Sequence, residues 1–269
     1  MQFRSAVVTV TAMRRFLCTV LFFLTCPLYA GSTLHLLTEH FPPYNYQDGN
    51  RITGINAEIV HRLCEISNTE CNMQMYPWLR AYEYALQDPK AGLFTTSRTP
   101  ERQAKFQWVG PLASSRAFLY RLKNRPEVNP QDLAQARQFG IAVARGDVYE
   151  EFLLKAGFVR GKNLLDFPSK SAPIGLFLQG KVDLIIGSEL VMPAWLAAHK
   201  ATIEQVEPVI ELETKGDNYL ALNLAVPPEQ VKALQSALDE MKRSGEYQRI
   251  VARLFVEAMP DVRANNIKK

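Results

Sequence analysis

The sequence predicts an α/β protein, and three observations support that prediction. Short apolar runs that suit buried strands alternate with segments whose apolar residues recur at helical spacing. The alternation starts near residue 34 and starts again near residue 116. The 269 residues are 47% hydrophobic and 22% charged, an ordinary globular composition with enough length for one large or two medium domains. We therefore expect successive α/β layers.

The first alternation runs strand, helix, strand, helix, strand. We expect these elements at residues 34–38, 55–67, 73–77, 79–87 and 91–96. Between the first two, Phe41-Pro42-Pro43-Tyr44 predicts a stiff loop and Gln47-Asp48-Gly49-Asn50 predicts a turn.

The second alternation is followed by a helical tail. We expect strands at residues 117–122, 140–144, 182–186 and 209–212, and helices near 148–156, 174–178 and 193–199. A strand at 219–226 precedes a helix that Pro227-Pro228 opens and Gly245 ends, and a last helix follows through residues 247–255.

Residues 1–30 predict a cleaved secretory signal. The segment has three arginines and no acidic residue, an almost wholly apolar run at 16–25, and the small residue Ala30 at its end. The apolar run is short for a bilayer span, and an uncleaved anchor is the alternative. Met13 is an alternative start, and Cys26 leaves lipidation as another possibility.

Removal of this signal lowers the formal net charge from +4 to +1, because it removes three arginines and no acid. A nearly neutral protein has no electrostatic footprint for nucleic acid or anionic lipid. The cysteines that remain are Cys64 and Cys71, seven apart. In an oxidising compartment they suit one disulfide, with two free thiols as the alternative.

The motifs of common enzymes are missing from the sequence. There is no G-x-S-x-G elbow, no G-x-G-x-x-G or P-loop, and no H-E-x-x-H. Glu39-His40 is the pairing that could support acid–base chemistry. No histidine falls at ligand spacing from the cysteines, so we expect no metal site. Because the motifs above are missing, we also expect no cofactor and no catalytic residue.

The segment Thr95–Pro111 carries the strongest chemical signal. Thr95, Thr96 and Ser97 stand a few residues ahead of Arg102, which lies in a Thr-Pro-Glu-Arg turn. A guanidinium presents a rigid fork of donors that a carboxylate can accept with both oxygens. Hydroxyl groups beside such a fork suit the capture of a small carboxylate.

Motifs along the chain resemble the family 3 extracytoplasmic solute-binding proteins, which include receptors for histidine and for lysine, arginine and ornithine. The resemblance covers essentially the whole chain after the signal and rests on the joint order of five motifs. They are Phe41-Pro42-Pro43-Tyr44, Gly54 before the helix, Thr99-Pro100-Glu101-Arg102, Gly180-Lys181-Val182-Asp183, and Lys242-Arg243-Ser244-Gly245-Glu246-Tyr247 with Phe255. Cys64 to Cys71 also resembles the disulfide loop of the basic-amino-acid receptors.

The resemblance implies a type II periplasmic-binding-protein fold. Two lobes, each a sheet flanked by helices, would be joined by two hinge strands and close on ligand by hinge motion. Lobe 1 would comprise residues 32–115 and 219–269, and lobe 2 residues 118–210. The hinges would be residues 114–119 and 215–220.

The resemblance also implies a ligand site. Arg102 matches the arginine that clamps the ligand's α-carboxylate, and Thr95 and Ser97 match residues that offer hydroxyl or backbone groups to it. Phe41 and Trp78 match the apolar walls beside the ligand side chain. The alternatives are a core position for Trp78, an ordinary strand position for Thr95 and a solvated Arg102.

Lobe 2 departs from the family pattern. Receptors for amino acids place an aspartate five residues after the aspartate of the G-x-x-D segment, but counting from Asp183 gives Ser188, with Glu189 next to it. Gly146 is followed by Asp147 where threonine is usual. The partner of an ammonium group is therefore missing, moved to Glu189 or Asp147, or not needed.

Arg80 is a second candidate cleft cation, and with Arg102 it would favour a ligand with two acidic groups; a solvated arginine at the start of a helix is the alternative. We expect a periplasmic, monomeric receptor that delivers a small carboxylate-bearing solute, an amino acid or a related compound, to an inner-membrane ABC permease. A sensory module for a membrane signalling partner is one alternative. A periplasmic enzyme similar to cyclohexadienyl dehydratase, with Glu189 as general acid, is another.

Overall fold

The computed structural model describes residues 33–212 and 216–258, with side chains described as far as residue 255. The predicted signal at residues 1–30, with its alternatives at Met13 and Cys26, lies outside the described residues. Within the described part of the chain, no helix combines the length and apolar character that a membrane crossing requires.

The order of elements is the α/β alternation that the sequence predicts. The strands are β1 (Leu34–Thr38), β2 (Tyr46–Asp48), β3 (Arg51–Thr53), β4 (Cys71–Met75), β5 (Ala91–Thr96), β6 (Phe106–Ala113), β7 (Ala117–Leu122), β8 (Ile141–Ala144), β9 (Leu164–Phe167), β10 (Leu184–Gly187), β11 (Val206–Leu212) and β12 (Asn218–Asn223). The helices are α1 (Ile55–Ile66), α2 (Trp78–Gln87), α3 (Pro100–Gln103), α4 (Leu133–Ala136), α5 (Val148–Lys155), α6 (Ile174–Leu178), α7 (Val191–Ala197), α8 (Pro228–Arg243) and α9 (Glu246–Ala258), with a 3₁₀ turn at Ile203–Gln205.

The first five-stranded sheet has the order β4-β1-β5-β12-β6. Strand β1 runs parallel to β4 and β5, with Leu36 opposite Met73 on one side and Gly92 on the other. Strand β12 returns from late in the chain and pairs antiparallel with both β5 and β6. The sheet therefore joins the start of the described chain to its end.

The second five-stranded sheet has the order β11-β7-β10-β8-β9. Strands β8, β9 and β10 are parallel, while β7 pairs antiparallel with β10 and β11. The two connections between the sheets, which contain Ser115 and Gly216, are in contact: the Ser115 N–H donates to the Gly216 carbonyl over 3.4 Å. The fold is that of the two-lobed periplasmic binding proteins, and the boundaries given above for lobes and hinges stay a prediction.

The helical core of the first sheet is built on α1, which packs against α8 and α9. Cys64 near the end of α1 and Cys71 at the start of β4 form a disulfide, as the sequence predicts. At the other end of α1, the Ile55 N–H donates to the Pro43 carbonyl over 3.0 Å. These contacts fix the Phe41–Tyr44 loop to the helix.

The parallel strands bring polar residues together at their carboxyl ends, where ligands bind in α/β sheets. In the first sheet, Glu39 directly follows β1 and Ser97 directly follows β5. In the second sheet, Asp147, Lys170 and Ser188 follow β8, β9 and β10 within a few residues. The polar residues of both sheets therefore lie at the carboxyl ends of the strands, where they can form one shared site.

Most predicted elements are confirmed to within two residues, and several needed correction. The predicted strands at 182–186 and 219–226 are Leu184–Gly187 and Asn218–Asn223. Two strands, Phe106–Ala113 and Leu164–Phe167, were not predicted from the sequence. Pro111 argues against a strand in the first case, because proline cannot donate to a sheet and is rare inside one.

Candidate functional site

A cavity lies where the carboxyl ends of the two sheets meet. Its walls come from both sheets and from the loops that connect them, and the space, part of it open to solvent, measures about 800 Å³. Seven of the residues predicted from the sequence line it together: Phe41, Trp78, Thr95, Ser97, Arg102, Asp147 and Ser188.

Two other predicted residues lie outside the cavity lining. Arg80 is exposed, and its guanidinium carbon is 4.5 Å from the centre of the Tyr76 ring. Glu189 is also exposed, although Ser188 beside it is buried. The structure therefore brings neither of these charges to the same place as Arg102.

Arg102 brings a positive charge into the cavity from helix α3, and its side chain is well buried, with a residue exposure of 8%. Its Nη2 is 3.3 Å from the Gly146 carbonyl oxygen, and its guanidinium carbon is 5.0 Å from the Trp78 ring centre and 5.4 Å from that of Tyr82. Among the described residues, none of the ion pairs involves Arg102. A buried charge without a counter-ion is costly unless it is paired, so this guanidinium is suited to an anion from outside the protein.

Thr95 has a strained backbone at the edge of the cavity. Its φ of 64° is unusual for a β-branched residue, and the β5–β12 register shifts at this point. Its hydroxyl donates to Asn45 and accepts a 3.1 Å hydrogen bond from Asn56 Nδ2. The Thr95 hydroxyl is thus engaged within the protein, while that of Ser97 has no hydrogen-bond partner in the described part of the chain.

Aromatic side chains form one wall of the cavity. The Phe41 ring centre lies 5.1 Å from that of Tyr44 and 5.9 Å from that of Trp195. Burial raises the pKa of Tyr44 to about 12, and its neutral hydroxyl donates to Ser115 Oγ over 2.9 Å. Trp195, which the sequence analysis did not identify, joins the second sheet's helix α7 to Phe41 of the first.

Lys170 forms an ion-paired cluster that links residues of the two sheets beside the cavity. Its Nζ is 2.8 Å from Asp147 Oδ2 and forms a second ion pair with Glu39 on the opposite side. The same nitrogen is 4.6 Å from the Phe41 ring centre and 5.5 Å from that of Trp78. The side chains of all three charged residues are largely shielded from solvent, with exposures of 18% for Lys170, 5% for Asp147 and 4% for Glu39.

The protonation states follow from burial and charge. Burial opposes ionisation of Lys170, but the carboxylates of Asp147 and Glu39 outweigh it and hold the pKa of Lys170 above its usual range. Burial raises the pKa of Glu39, and the Lys170 ammonium offsets only part of that effect. Lys170 is therefore a charged group at neutral pH.

The polar side chains that follow strands of the second sheet already form hydrogen bonds within the protein. Asp147 caps the start of helix α5, where its carboxylate accepts from the Tyr149 N–H over 3.0 Å. Ser188 Oγ accepts from the N–H groups of Leu190 and Val191, each over 3.3 Å. Among the described residues that line the cavity, Asp147 is the only acid, and Lys170 neutralises it.

The described residues offer no evident metal centre, since none of them form a group of three or more His, Cys, Asp or Glu side chains at ligand geometry. Glu39, which the sequence analysis paired with His40, is instead paired with Lys170. The site as a whole consists of a buried unpaired guanidinium, aromatic walls and an internally neutralised cluster, an arrangement for holding a small anion.

Fold and cavity together define a two-lobed protein with a cavity that contains the buried guanidinium of Arg102. The family model for bacterial extracellular solute-binding proteins, family 3, matches residues 35–257, and the chain belongs to this family.

Three solved structures illustrate how similar the fold is. A histidine kinase sensor domain with similarity to periplasmic binding proteins has a TM-score of 0.74 at 17% identity, over 82% of this chain and 95% of that one. An ancestral arginine-binding protein bound to arginine has a TM-score of 0.71 at 19% identity, over 83% and 98%. An amino acid ABC transporter substrate-binding protein from Streptococcus pneumoniae bound to L-arginine has a TM-score of 0.71 at 17% identity, over 84% and 96%. A search of the curated proteins found no match.

Proposed function

We propose that this protein is a periplasmic receptor that binds a small solute through its carboxylate and delivers it to an inner-membrane ABC transporter. The observation that carries the proposal is the buried guanidinium of Arg102, which has no ionic partner among the described residues. A hydrogen-bonded contact with a charged group contributes about 1.5–3 kcal/mol, enough to make this contact the main anchor of a small ligand.

The neighbouring residues suit the same anion. The free hydroxyl of Ser97 and the backbone at the end of β5 lie close to Arg102 in the cavity lining. Strained backbone of the kind found at Thr95 clusters at ligand sites, where surrounding contacts hold it in place. Trp78 and Phe41 would then contact the apolar part of the ligand.

The charge balance favours a single carboxylate. The suggestion of two acidic groups depended on Arg80, which is exposed and outside the cavity lining. Lys170 is the other cation in the described lining, and it already faces two carboxylates. One guanidinium thus stays available for one ligand anion.

A thermal-shift screen with matched compounds tests this proposal. Each small carboxylate, including amino acids, 2-oxo acids and hydroxy acids, is compared with its own primary amide, which keeps the shape and loses the charge. A ligand at about 100 times its Kd stabilises the folded form by about 2.7 kcal/mol, which raises the melting temperature. We expect at least one acid to stabilise while its amide does not. Equal stabilisation by acid and amide would contradict a site built on Arg102.

A sensory role is the second candidate, because the histidine kinase sensor domain shares the fold at a TM-score of 0.74. The cavity chemistry is the same in both roles, so the partner decides between them. Affinity purification of the tagged protein from crosslinked cells, with and without ligand, would recover permease subunits for a transport receptor and a signalling protein for a sensor. Recovery of the signalling protein alone would replace the transport role with the sensory one.

A further inference from the structure

Lys170 is an ammonium group that the protein places inside its own ligand cavity. It belongs to the loop after β9, while Glu39 follows β1 in the other sheet, 131 residues away in sequence. The side chain lines the cavity and lies between Glu39 and Asp147. Glu39 itself is not part of the lining; it is buried and ion-paired with Lys170.

The surroundings of this ammonium are those that proteins use to hold the cation of a ligand. Its nitrogen is 4.6 Å from the Phe41 ring centre and 5.5 Å from the Trp78 ring centre. Aromatic faces within about 6 Å attract ammonium and guanidinium groups. Two carboxylates complete the enclosure, and both would lack a counter-ion without Lys170.

We propose that Lys170 is a specificity-determining residue, a built-in cation that fills the part of the cavity that would otherwise accept a cationic ligand side chain. This inference rests on the proposed carboxylate receptor and adds the class of its ligand: a carboxylate whose side chain carries no positive charge. Compounds such as arginine and lysine are rejected, because their side-chain cation meets Lys170 instead of a free carboxylate. Specificity of this kind comes from a repulsive element as well as from attractive contacts.

Removal of the lysine side chain should reverse the preference. Lys170→Ala exposes Asp147 and Glu39 to the cavity and leaves the rings of Phe41 and Trp78 in place. Agmatine is the sharpest probe, since it carries the guanidinium of arginine without a carboxylate and therefore reports on this part of the cavity alone. Lys170→Arg is the matched control, because it keeps a fixed cation at the same position.

Isothermal titration calorimetry of the full protein tests the proposal. We expect no measurable agmatine or L-arginine binding by the wild type or Lys170→Arg, and binding of both by Lys170→Ala at least tenfold tighter than the weakest affinity that the titration detects. Wild-type binding of L-arginine as tight as that of the alanine variant would overturn the inference. So would a folded Lys170→Ala variant, checked by circular dichroism, that binds neither compound.

If Lys170→Ala does not fold, the double variant Lys170→Ala/Glu39→Gln replaces it. This variant leaves one uncompensated buried carboxylate instead of two and keeps Asp147 as the partner for the guanidinium, so the same outcomes apply.

Addition of Arg102→Ala to the Lys170→Ala background separates this inference from the proposed function. We expect L-arginine to bind at least tenfold more weakly, because its carboxylate loses Arg102, while agmatine binding does not weaken. If L-arginine binding did not change either, the carboxylate anchor would fail and the role of Lys170 would stand. If carboxylates bind the wild type through Arg102 but Lys170→Ala does not bind agmatine, the proposed role of Lys170 is wrong and the proposed function stands.

Discussion

The indole nitrogen of Trp78 donates a 2.8 Å hydrogen bond to the backbone carbonyl oxygen of Gly146. The bond connects the residue that begins helix α2, beside the first sheet, to the loop that follows β8 in the second sheet. Arg102 Nη2 approaches the same oxygen at 3.3 Å. The residue proposed to bind the ligand and a residue that joins the two sides therefore share one acceptor, so ligand binding and closure of the cavity should be coupled.

Replacement of Trp78 by phenylalanine tests this coupling. Trp78→Phe keeps an aromatic wall but loses the N–H donor, a loss of about 1 kcal/mol for a hydrogen bond, or roughly fivefold in affinity. Calorimetric titration with the best carboxylate from the screen measures the effect. Trp108→Phe is the matched control, since that indole donates to Gln103 over 3.1 Å outside the cavity lining. Equal affinities for the two variants would argue against a role for the Gly146 contact.

Gly54 is required for the attachment of helix α1 to the loop that carries Phe41. Its φ is 114°, and a Cβ placed there would lie 2.6 Å from the Tyr44 carbonyl oxygen and 2.7 Å from that of Pro43. Because both obstacles are backbone atoms, we expect Gly54→Ala to lower the free energy of unfolding by about 3 kcal/mol or more.

Urea denaturation of a second variant provides the comparison. Gly161 also has a positive φ, 73°, but an added Cβ would meet nothing within 4 Å. Gly161→Ala should therefore cost only about 1 kcal/mol of backbone strain. A Gly54→Ala variant no less stable than Gly161→Ala would contradict the close approach of the loop to the helix.

The Cys64–Cys71 disulfide should stabilise the fold without affecting the ligand. It joins the end of α1 to the start of β4, and neither cysteine lines the cavity. By chain entropy a loop of this size contributes about 2–3 kcal/mol. We expect Cys64→Ser/Cys71→Ser to melt roughly 5–10 °C lower than the wild type. Its ligand affinity should match that of the wild type, and an unchanged melting temperature would show that the bridge contributes nothing.

Glu39 gives the protein a specific dependence of stability on pH. Burial raises the pKa of Glu39 above the ordinary value of 4.5, with Lys170 opposing and Asp147 adding to the effect. The folded protein holds this proton more tightly than the unfolded chain does, so the resulting stabilisation is complete below the ordinary pKa and is lost as pH rises through the raised one.

The variant Glu39→Gln does not titrate at this position and therefore isolates the effect. The free energy of unfolding of the wild type, minus that of Glu39→Gln, should decrease as pH rises from about 4 to about 7. Urea denaturation at a series of pH values measures this difference. A difference that grows with pH would mean that the Lys170 contact lowers the pKa of Glu39 overall.

The elements that the sequence predicts best are those with a clear apolar pattern. Helix α1 and strands β5 and β7 were expected almost at their observed bounds, because their apolar residues recur at helical or strand spacing. Strand β9 was missed, since its sequence Leu164–Phe167 is short and only Leu164 is fully buried.

The residues of the candidate site also differ in how well the sequence predicts them. Arg102 and Ser97 lie close together in sequence, so their pattern was visible there, and both line the cavity. Lys170 pairs with Glu39 across 131 residues, on a loop after the strand that was missed. No sequence spacing could indicate that pair, because it depends on how two separate sheets meet.

The most direct test of the account is the affinity of an Arg102→Gln variant for the best carboxylate ligand, measured by isothermal titration calorimetry. Arg80→Gln, which removes an exposed guanidinium outside the cavity lining, is the control and should bind as the wild type does. Loss of about 1.5–3 kcal/mol predicts that Arg102→Gln binds roughly 10- to 150-fold more weakly, while its melting temperature without ligand changes little. An Arg102→Gln variant that binds the carboxylate as tightly as the wild type would contradict the proposed anchor.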